Sequence, residues 1–393
     1  MYNFDKIIHR EESHSVKYDL RKHFFKKEDV IPMWVADMDF ETPEFIRDAI
    51  KKRAEHPIYG YSIKPDSYFQ SIIQWLKTRH QWEIKKEDIL FSPGVVPGFT
   101  LAILAYSKPG DKVVVQPPVY FPFFQAVTDN DRELLHNQLI EKDNYYTIDF
   151  EDLEKKLSDP KTKILLTSSP HNPVGRVWNK EELQKMTALC VKHQVVLLSD
   201  EIHGDLVFKG QKHIPAAHLN QEAANQCVTF MAPSKTFNVA GLSTSFLIIQ
   251  NPELKKKYEE VLNAFHLGMG NVFGNVALEA AFNEGGAWLD ELMEYLSQSA
   301  DYVKEFLDKN IPEITYRKPE ATYLLWLNCK SLNLNDEELQ AFFVNEAGLA
   351  LNNGSMFGLG GSGFMRMNIA CPIETTKKAL EQLHLAILKI RKK

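Results

Sequence analysis

Val195-Val196-Leu197-Leu198-Ser199-Asp200-Glu201 and Val228-Thr229-Phe230-Met231-Ala232-Pro233-Ser234-Lys235-Thr236-Phe237-Asn238 are the stretches that decide the fold. Each opens on a short apolar run and delivers a charged residue at or just past its end. Ile164-Leu165-Leu166-Thr167-Ser168-Ser169-Pro170-His171-Asn172-Pro173 repeats the pattern and delivers an amide. Such runs, continuous rather than alternating in polarity, suit strands covered on both faces. Ile89-Leu90, Lys112-Val113-Val114-Val115 and Phe246-Leu247-Ile248-Ile249 add further strands of the same kind. Between them lie segments of helical period. Lys180 to His193 is the clearest: Asn179 caps it, Glu182 completes a capping box, and Leu183, Met186, Cys190 and Val191 form one apolar stripe. Strand–helix alternation predicts an α/β domain with a mostly parallel sheet flanked by helices. Ligands collect at the carboxyl ends of strands in such sheets, where Asn172, Asp200 and Lys235 fall.

The C-terminal part reads differently. Gly285-Gly286 breaks the chain, a long helix is expected from Trp288 to Leu307, and Thr322-Tyr323-Leu324-Leu325-Trp326-Leu327 and Phe364-Met365-Arg366-Met367-Asn368-Ile369 read as strands. A closing helix carries Ala379, Leu383 and Ile387. The expected division is a large domain over residues 51–284 and a smaller α+β domain over 285–393, with residues 1–50 forming an arm and part of the small domain. A length of 393 residues accords with two domains. The composition, 44% hydrophobic and 25% charged, is that of an ordinary globular protein. A formal net charge of −6 favours neither nucleic acid nor an anionic membrane as partner. Cys190, Cys227, Cys329 and Cys371 are scattered without a CxxC pair, which predicts reduced thiols and neither a disulfide framework nor a metal site. No secretory signal is read at the start and no segment is apolar enough to span a bilayer, so the expected location is cytoplasmic.

Lys235 follows an apolar run in a segment with no other charge, so its amine is expected to lose hydration and gain nucleophilicity. Taken singly, each polar residue has an ordinary structural reading: an exposed lysine, a capping aspartate, an Asn-Pro turn. Taken in order, they meet the needs of pyridoxal 5'-phosphate (PLP), which requires an amine, an anion facing its pyridine nitrogen and a phosphate cradle. Lys235 supplies the amine, Asp200 the anion, and Asn172 a donor to the ring phenolate oxygen. Phe91-Ser92-Pro93-Gly94-Val95-Val96-Pro97-Gly98-Phe99 follows a strand and opens a helix with Pro97 in its first turn. The N–H groups of Val95 and Val96 then point at the phosphate, with the Ser234 hydroxyl as a further donor. Tyr120, past the Val113–Val115 run, is placed to stack on the ring.

Ser92-Pro93-Gly94-Val95-Val96, Gln116-Pro117-Pro118-Val119-Tyr120, Pro170-His171-Asn172-Pro173-Val174-Gly175-Arg176, Ser199-Asp200-Glu201-Ile202-His203 and the Lys235 motif together resemble fold-type I PLP enzymes of the aminotransferase class I/II superfamily. More narrowly, Ala36-Asp37-Met38-Asp39-Phe40 with Asp200-Glu201-Ile202-His203 resembles the MalY/PatB-type cystathionine β-lyases, or C–S lyases. The resemblance runs from Ser15-Val16-Lys17-Tyr18-Asp19 to Gly363-Phe364-Met365-Arg366-Met367-Asn368. It implies a PLP-dependent β-lyase that cleaves S-substituted L-cysteine (cystathionine-like, S-alkyl or cysteinylglycine conjugates), releasing a thiol, with pyruvate and ammonia from cysteine substrates. By the same resemblance Lys235 is the Schiff-base lysine and proton-transfer base, and Arg366 clamps the substrate carboxylate with Tyr120 and Asn172 beside it. Tyr61 would reach the phosphate of a neighbouring subunit in a homodimer. His203 stands in the cofactor site where many aminotransferases have Tyr, and the lyase branch shares His there. An aminotransferase and a PLP-retaining regulatory binding protein are the alternatives. Leu351-Asn352-Asn353-Gly354-Ser355-Met356-Phe357-Gly358 departs from the relatives' Pro-Gly turn and bears on substrate identity. Phe265, Leu267, Met269 and Phe273 are expected, with Met356 and Phe357, to line an apolar entrance.

Overall fold

Seven strands form the central sheet: β1 (Ile89–Ser92), β2 (Lys112–Val115), β3 (Glu133–His136), β4 (Thr162–Ser168), β5 (Val196–Asp200), β6 (Cys227–Met231) and β7 (Ser245–Ile248). The computed structural model describes residues 2–391. The strand order is β1-β7-β6-β5-β4-β2-β3. All neighbouring pairs are parallel except the two that involve β7, which runs against both β1 and β6. Residues of β4, β5 and β6 are almost all buried, and this is why their sequences are unbroken apolar runs. Helices cover both faces, and two large apolar clusters pack on the sheet. The Lys180–His193 helix has the expected box, with Asn179 accepting from Glu182 N–H and Glu182 accepting from Asn179 N–H. β3 is absent from the strands expected above: only Leu134 and Leu135 give it apolar character, and none of its residues is fully buried.

A second, antiparallel sheet has the order β8 (Leu324–Asn328), β10 (Phe364–Asn368), β9 (Asn352–Asn353). The expected start of β8 at Thr322 is two residues early, because Thr322 adopts φ 73°, outside the strand region. The Gly286–Asn310 and Ile373–Ile390 helices pack on one another and share an apolar cluster with this sheet, and Gly285 separates the first from the preceding helix that ends at Glu284. Ile31–Pro32 pairs in parallel with Leu349–Ala350, and Asn368 N–H donates to Met33 O. The N-terminal segment is thereby held on the second sheet, and the stretch Trp34–Phe40 runs between the two sheets' polar edges.

Candidate active site

Register places the polar residues on one edge. Asp200 is the last residue of β5 and stands opposite Ser168 of β4 and Phe230 of β6. Asn172 follows β4, Tyr120 follows β2, and Lys235 follows β6 in the short Pro233–Thr236 helix. From the other sheet Arg366, at the centre of β10 and opposite both Trp326 and Asn352, points into the same space. Together with Val95, Val96, His203 and Ser234 these residues line one cavity of about 700 Å³.

The floor of this cavity is desolvated and hydrogen-bonded. Burial pushes the Asp200 carboxyl up to about 7, against the Ile202 N–H that donates to Oδ1 at 3.1 Å and the Lys235 charge. Burial likewise brings the Lys235 amine down to about 8; the Asp37 and Asp200 carboxylates oppose this and Arg366 adds to it. Lys235 is half-buried and borders the cavity. Its Nζ donates to Ala36 O at 2.6 Å. Burial lowers Arg366 to about 10, partly offset by Tyr120 and Tyr323. Its Nη1 donates to Asn172 Oδ1 at 3.1 Å, and Nη2 to Trp34 O at 2.8 Å and Asn352 Oδ1 at 2.6 Å. Its Nε is buried without a partner among the described residues. The Phe357 ring supports the guanidinium 4.9 Å away, and Trp326 packs edge-on against Phe357. Burial drives His203 down to about 3, with Lys235 and Arg366 in support, so the ring is neutral. It lies edge-on to Tyr323, whose hydroxyl donates to Ala36 O at 3.0 Å.

Six residues expected at the site lie off this chain's cavity: Tyr61, Phe265, Leu267, Met269, Phe273 and Phe357. Tyr61 is 95% exposed and outside the cavity, in a strip with exposed Ile58, Tyr59 and Ile63. Phe265, Leu267, Met269 and Phe273 are not at the entrance: Leu267 and Met269 border a separate surface pocket with Phe91, and Phe273 packs on Tyr59 at 5.5 Å. Phe357 is fully buried beneath Arg366, whereas Met356 does border the cavity. The apolar mouth is formed instead by Phe24 and Phe25, at the end of the Arg21–Phe25 helix, with Trp34, Phe121 and Met356. Phe24 and Phe25 pack on Trp34 at 4.9 and 5.3 Å. The other group missing from the sequence reading is the backbone of Trp34–Asp37. Its carbonyls accept from Arg366, Lys235, Tyr323 and Asn368. A carbonyl has no side-chain signature, so only the Ala36-Asp37-Met38-Asp39-Phe40 motif hinted at that wall.

Pyridoxal phosphate fits what is present. Gly94, at the N-cap of the Val95–Tyr106 helix, has no side chain to close the first turn, which leaves the Val95 and Val96 N–H groups for an anion. The Asn172 amide accepts from Arg366 through Oδ1, and its Nδ2 donor makes no hydrogen bond among the described residues. A buried carboxylate and a low-pKa amine complete the donor and acceptor set that the cofactor requires.

The family model for aminotransferase class I and II matches residues 28–383. Cystathionine beta-lyase PatB of Bacillus subtilis is 44% identical over 385 residues, covering 98% of this chain and 100% of the relative. Cystalysin from Treponema denticola, whose crystal structure contains pyridoxal 5'-phosphate, superposes with a TM-score of 0.96 at 38% identity, covering 99% of this chain and 100% of that one. The PLP-bound C–S lyase from Staphylococcus hominis gives a TM-score of 0.92 at 36% identity, with 99% and 98% covered. The strand order, the edge on which the polar groups converge and these full-length similarities agree: the chain belongs to the aminotransferase class I and II family.

Proposed function

We propose that the protein is a pyridoxal-phosphate-dependent carbon–sulfur β-lyase that cleaves S-substituted L-cysteine. The observation that carries this reading is the meeting, in one cavity, of the desolvated Lys235 amine, the buried Asp200 carboxylate and the Arg366 guanidinium. The full-length similarity to a cystathionine β-lyase supports it. Bound, the cofactor supplies an electron sink for the pair left when a Cα–H bond is broken. Asn172 would hold the cofactor at its phenolate oxygen, Tyr120 would stack on its ring, and Val95, Val96 and Ser234 would bind its phosphate. His203 is a neutral wall of the same site. Asp200 in its ionised form would face the pyridine nitrogen, whose positive charge would stabilise the buried carboxylate.

Arg366 receives the substrate α-carboxylate, and its existing bonds to Asn172, Trp34 O and Asn352 hold the guanidinium plane in place. Lys235, uncharged above about pH 8, takes the Cα proton. The Cβ–S bond then breaks with its electron pair on sulfur. The thiol leaves, and addition of one water to the remaining three-carbon unit gives pyruvate and ammonia. The aromatic mouth receives the S-substituent. Among the described residues, Lys235 and Arg366 are the only lysine and arginine on the cavity lining, and both are committed to chemistry. On this chain's own lining a distal aminocarboxylate, as in cystathionine, meets aromatic side chains and the amides of Gln340 and Asn353 without a charged partner. Substrates with bulky apolar S-substituents gain instead, by roughly 0.8 kcal/mol per buried methylene.

The working unit in this reading is a cytoplasmic homodimer of chains divided at residues 50 and 284. The exposed strip of Ile58, Tyr59, Tyr61 and Ile63 supports a partner surface, with Tyr61 serving the partner's phosphate site. The four buried free thiols suit a reducing compartment, and no helix of the described residues is long and apolar enough to cross a membrane. The test is the product balance with S-benzyl-L-cysteine and no 2-oxo acid present. Equimolar thiol, pyruvate and ammonia support the lyase. Transfer of the amino group to an added 2-oxo acid, without thiol release, overturns it in favour of an aminotransferase.

A further inference from the structure

Behind the cavity floor lies a carboxylate that the chemistry above does not use. Asp205 belongs to the loop that follows Asp200 and carries His203, and its side chain is buried. Its Oδ1 accepts from Trp75 Nε1 at 3.0 Å and lies 2.8 Å from His80 Nε2, both residues of the Asp66–His80 helix. Its Oδ2 accepts from the Thr236 hydroxyl at 3.0 Å. Burial opposes charge on this carboxyl, but the His80 hydrogen bond and charge, with the Thr236 and Trp75 donors, hold it below the usual carboxylate range. Thr236 is fully buried and directly follows Lys235. The Pro233–Thr236 helix that carries both is a single turn, too short to fix its own orientation. Among the described residues, Asp205–Thr236 is the only side-chain hydrogen bond between the loop of Asp200 and this turn.

We propose that Asp205, through Thr236, is a positioning residue that sets the Lys235 amine at a fixed separation from the Asp200 carboxylate. The inference rests on the roles proposed above for Lys235 and Asp200. Charge-assisted hydrogen bonds in a dry interior are the stiff kind, and the Trp75 and His80 contacts keep the carboxylate from following Thr236 if the turn shifts. Reacting groups need this stiffness, since a misplacement of about 1 Å costs on the order of 100-fold in rate.

The experiment uses the full-length cofactor-loaded enzyme and the variants Thr236→Val, of the same shape without the hydroxyl, and Thr236→Ser, which retains it. Turnover of S-benzyl-L-cysteine and the pH midpoint of the enzyme's visible absorbance band are both read. Thr236→Val is expected to lower kcat about 10- to 100-fold with KM within about threefold, and to move the band midpoint, while Thr236→Ser stays within about twofold of wild type. Asp205→Asn should reproduce the Thr236→Val changes, and it decides the matter with Thr236→Ser if Thr236→Val does not fold. Wild-type kcat and band midpoint in Thr236→Val, or equal losses in Thr236→Val and Thr236→Ser, overturn the inference. Lys235→Ala serves as the separate check: retention of its visible band and turnover would remove Lys235 from the reaction without bearing on the Asp205–Thr236 bond.

Discussion

On the cavity floor Lys235, Asp200 and Arg366 are charged groups taken out of water and held by hydrogen bonds, whereas at the mouth Phe24 and Met356 are apolar groups left in it. Phe24 is 53% exposed and Met356 44%, while Arg366 is 3% exposed. Both arrangements run against what stability alone favours, in opposite senses. Desolvation on the floor moves the Lys235 amine to about 8, near the working pH of a proton-transfer group, and raises the Asp200 carboxyl to about 7, so that its charge calls for a positive partner. Exposed aromatic surface at the mouth leaves apolar area for a ligand to cover. The floor should therefore govern turnover for every substrate, and the mouth should govern which substrate is chosen.

The largest expected effect is on the floor. Lys235→Ala should cut pyruvate release by at least roughly 100- to 10,000-fold, the range for a lost proton-transfer group, and by a similar factor for every S-substituent. Near-normal release would remove Lys235 from the reaction. Asp200→Asn should retain the fold and the cofactor yet lose turnover on the order of 100-fold, as for removal of one fixed electrostatic partner. Unchanged turnover would leave Asp200 a structural group.

A smaller and more selective effect is expected at the mouth. Trp34→Ala should lower kcat/KM for S-benzyl-L-cysteine about 10-fold, in keeping with roughly 1.5 kcal/mol of lost aromatic contact, and leave S-methyl-L-cysteine within about twofold. An equal loss for both substrates would mean that the Trp34 ring serves to hold the backbone that bonds Arg366 and not to contact the S-substituent.

The smallest effect concerns pH. The uncharged amine is the nucleophile, so the rate at which cofactor-free protein captures pyridoxal phosphate should rise with pH and level off above a midpoint near 8. The Asp37 carboxylate favours the ammonium form, so Asp37→Asn should move that midpoint down. A stopped-flow pH series on both proteins checks the sign, and an upward shift contradicts it.

The two regions also differ in how far they could be read from the sequence. β4, β5 and β6 announce themselves because strands buried on both faces must be apolar throughout, and the residues that end or follow them must lie at the carboxyl edge. Asn172, Asp200 and Lys235 were therefore legible before any coordinates. β3, half-buried, and the two-residue β9 carry too little pattern to be seen, and Thr322 leaves the strand region for a reason only backbone angles reveal. The mouth differs from the expectation: Phe265, Leu267 and Met269 are exposed away from this chain's cavity, and Phe24 and Phe25 border it instead. Periodicity reports which face of an element is buried, but it is silent on which distant segment an exposed aromatic residue approaches. The Ala36 carbonyl was invisible for a simpler reason, since every residue has one.

The division of labour between floor and mouth is tested most directly by kcat/KM for S-benzyl-L-cysteine and L-cystathionine on the same wild-type preparation. The larger value is expected for S-benzyl-L-cysteine, because its ring can cover Phe24, Trp34 and Met356 while the distal charges of cystathionine find no free cation on the described lining. A clear preference for cystathionine would contradict it.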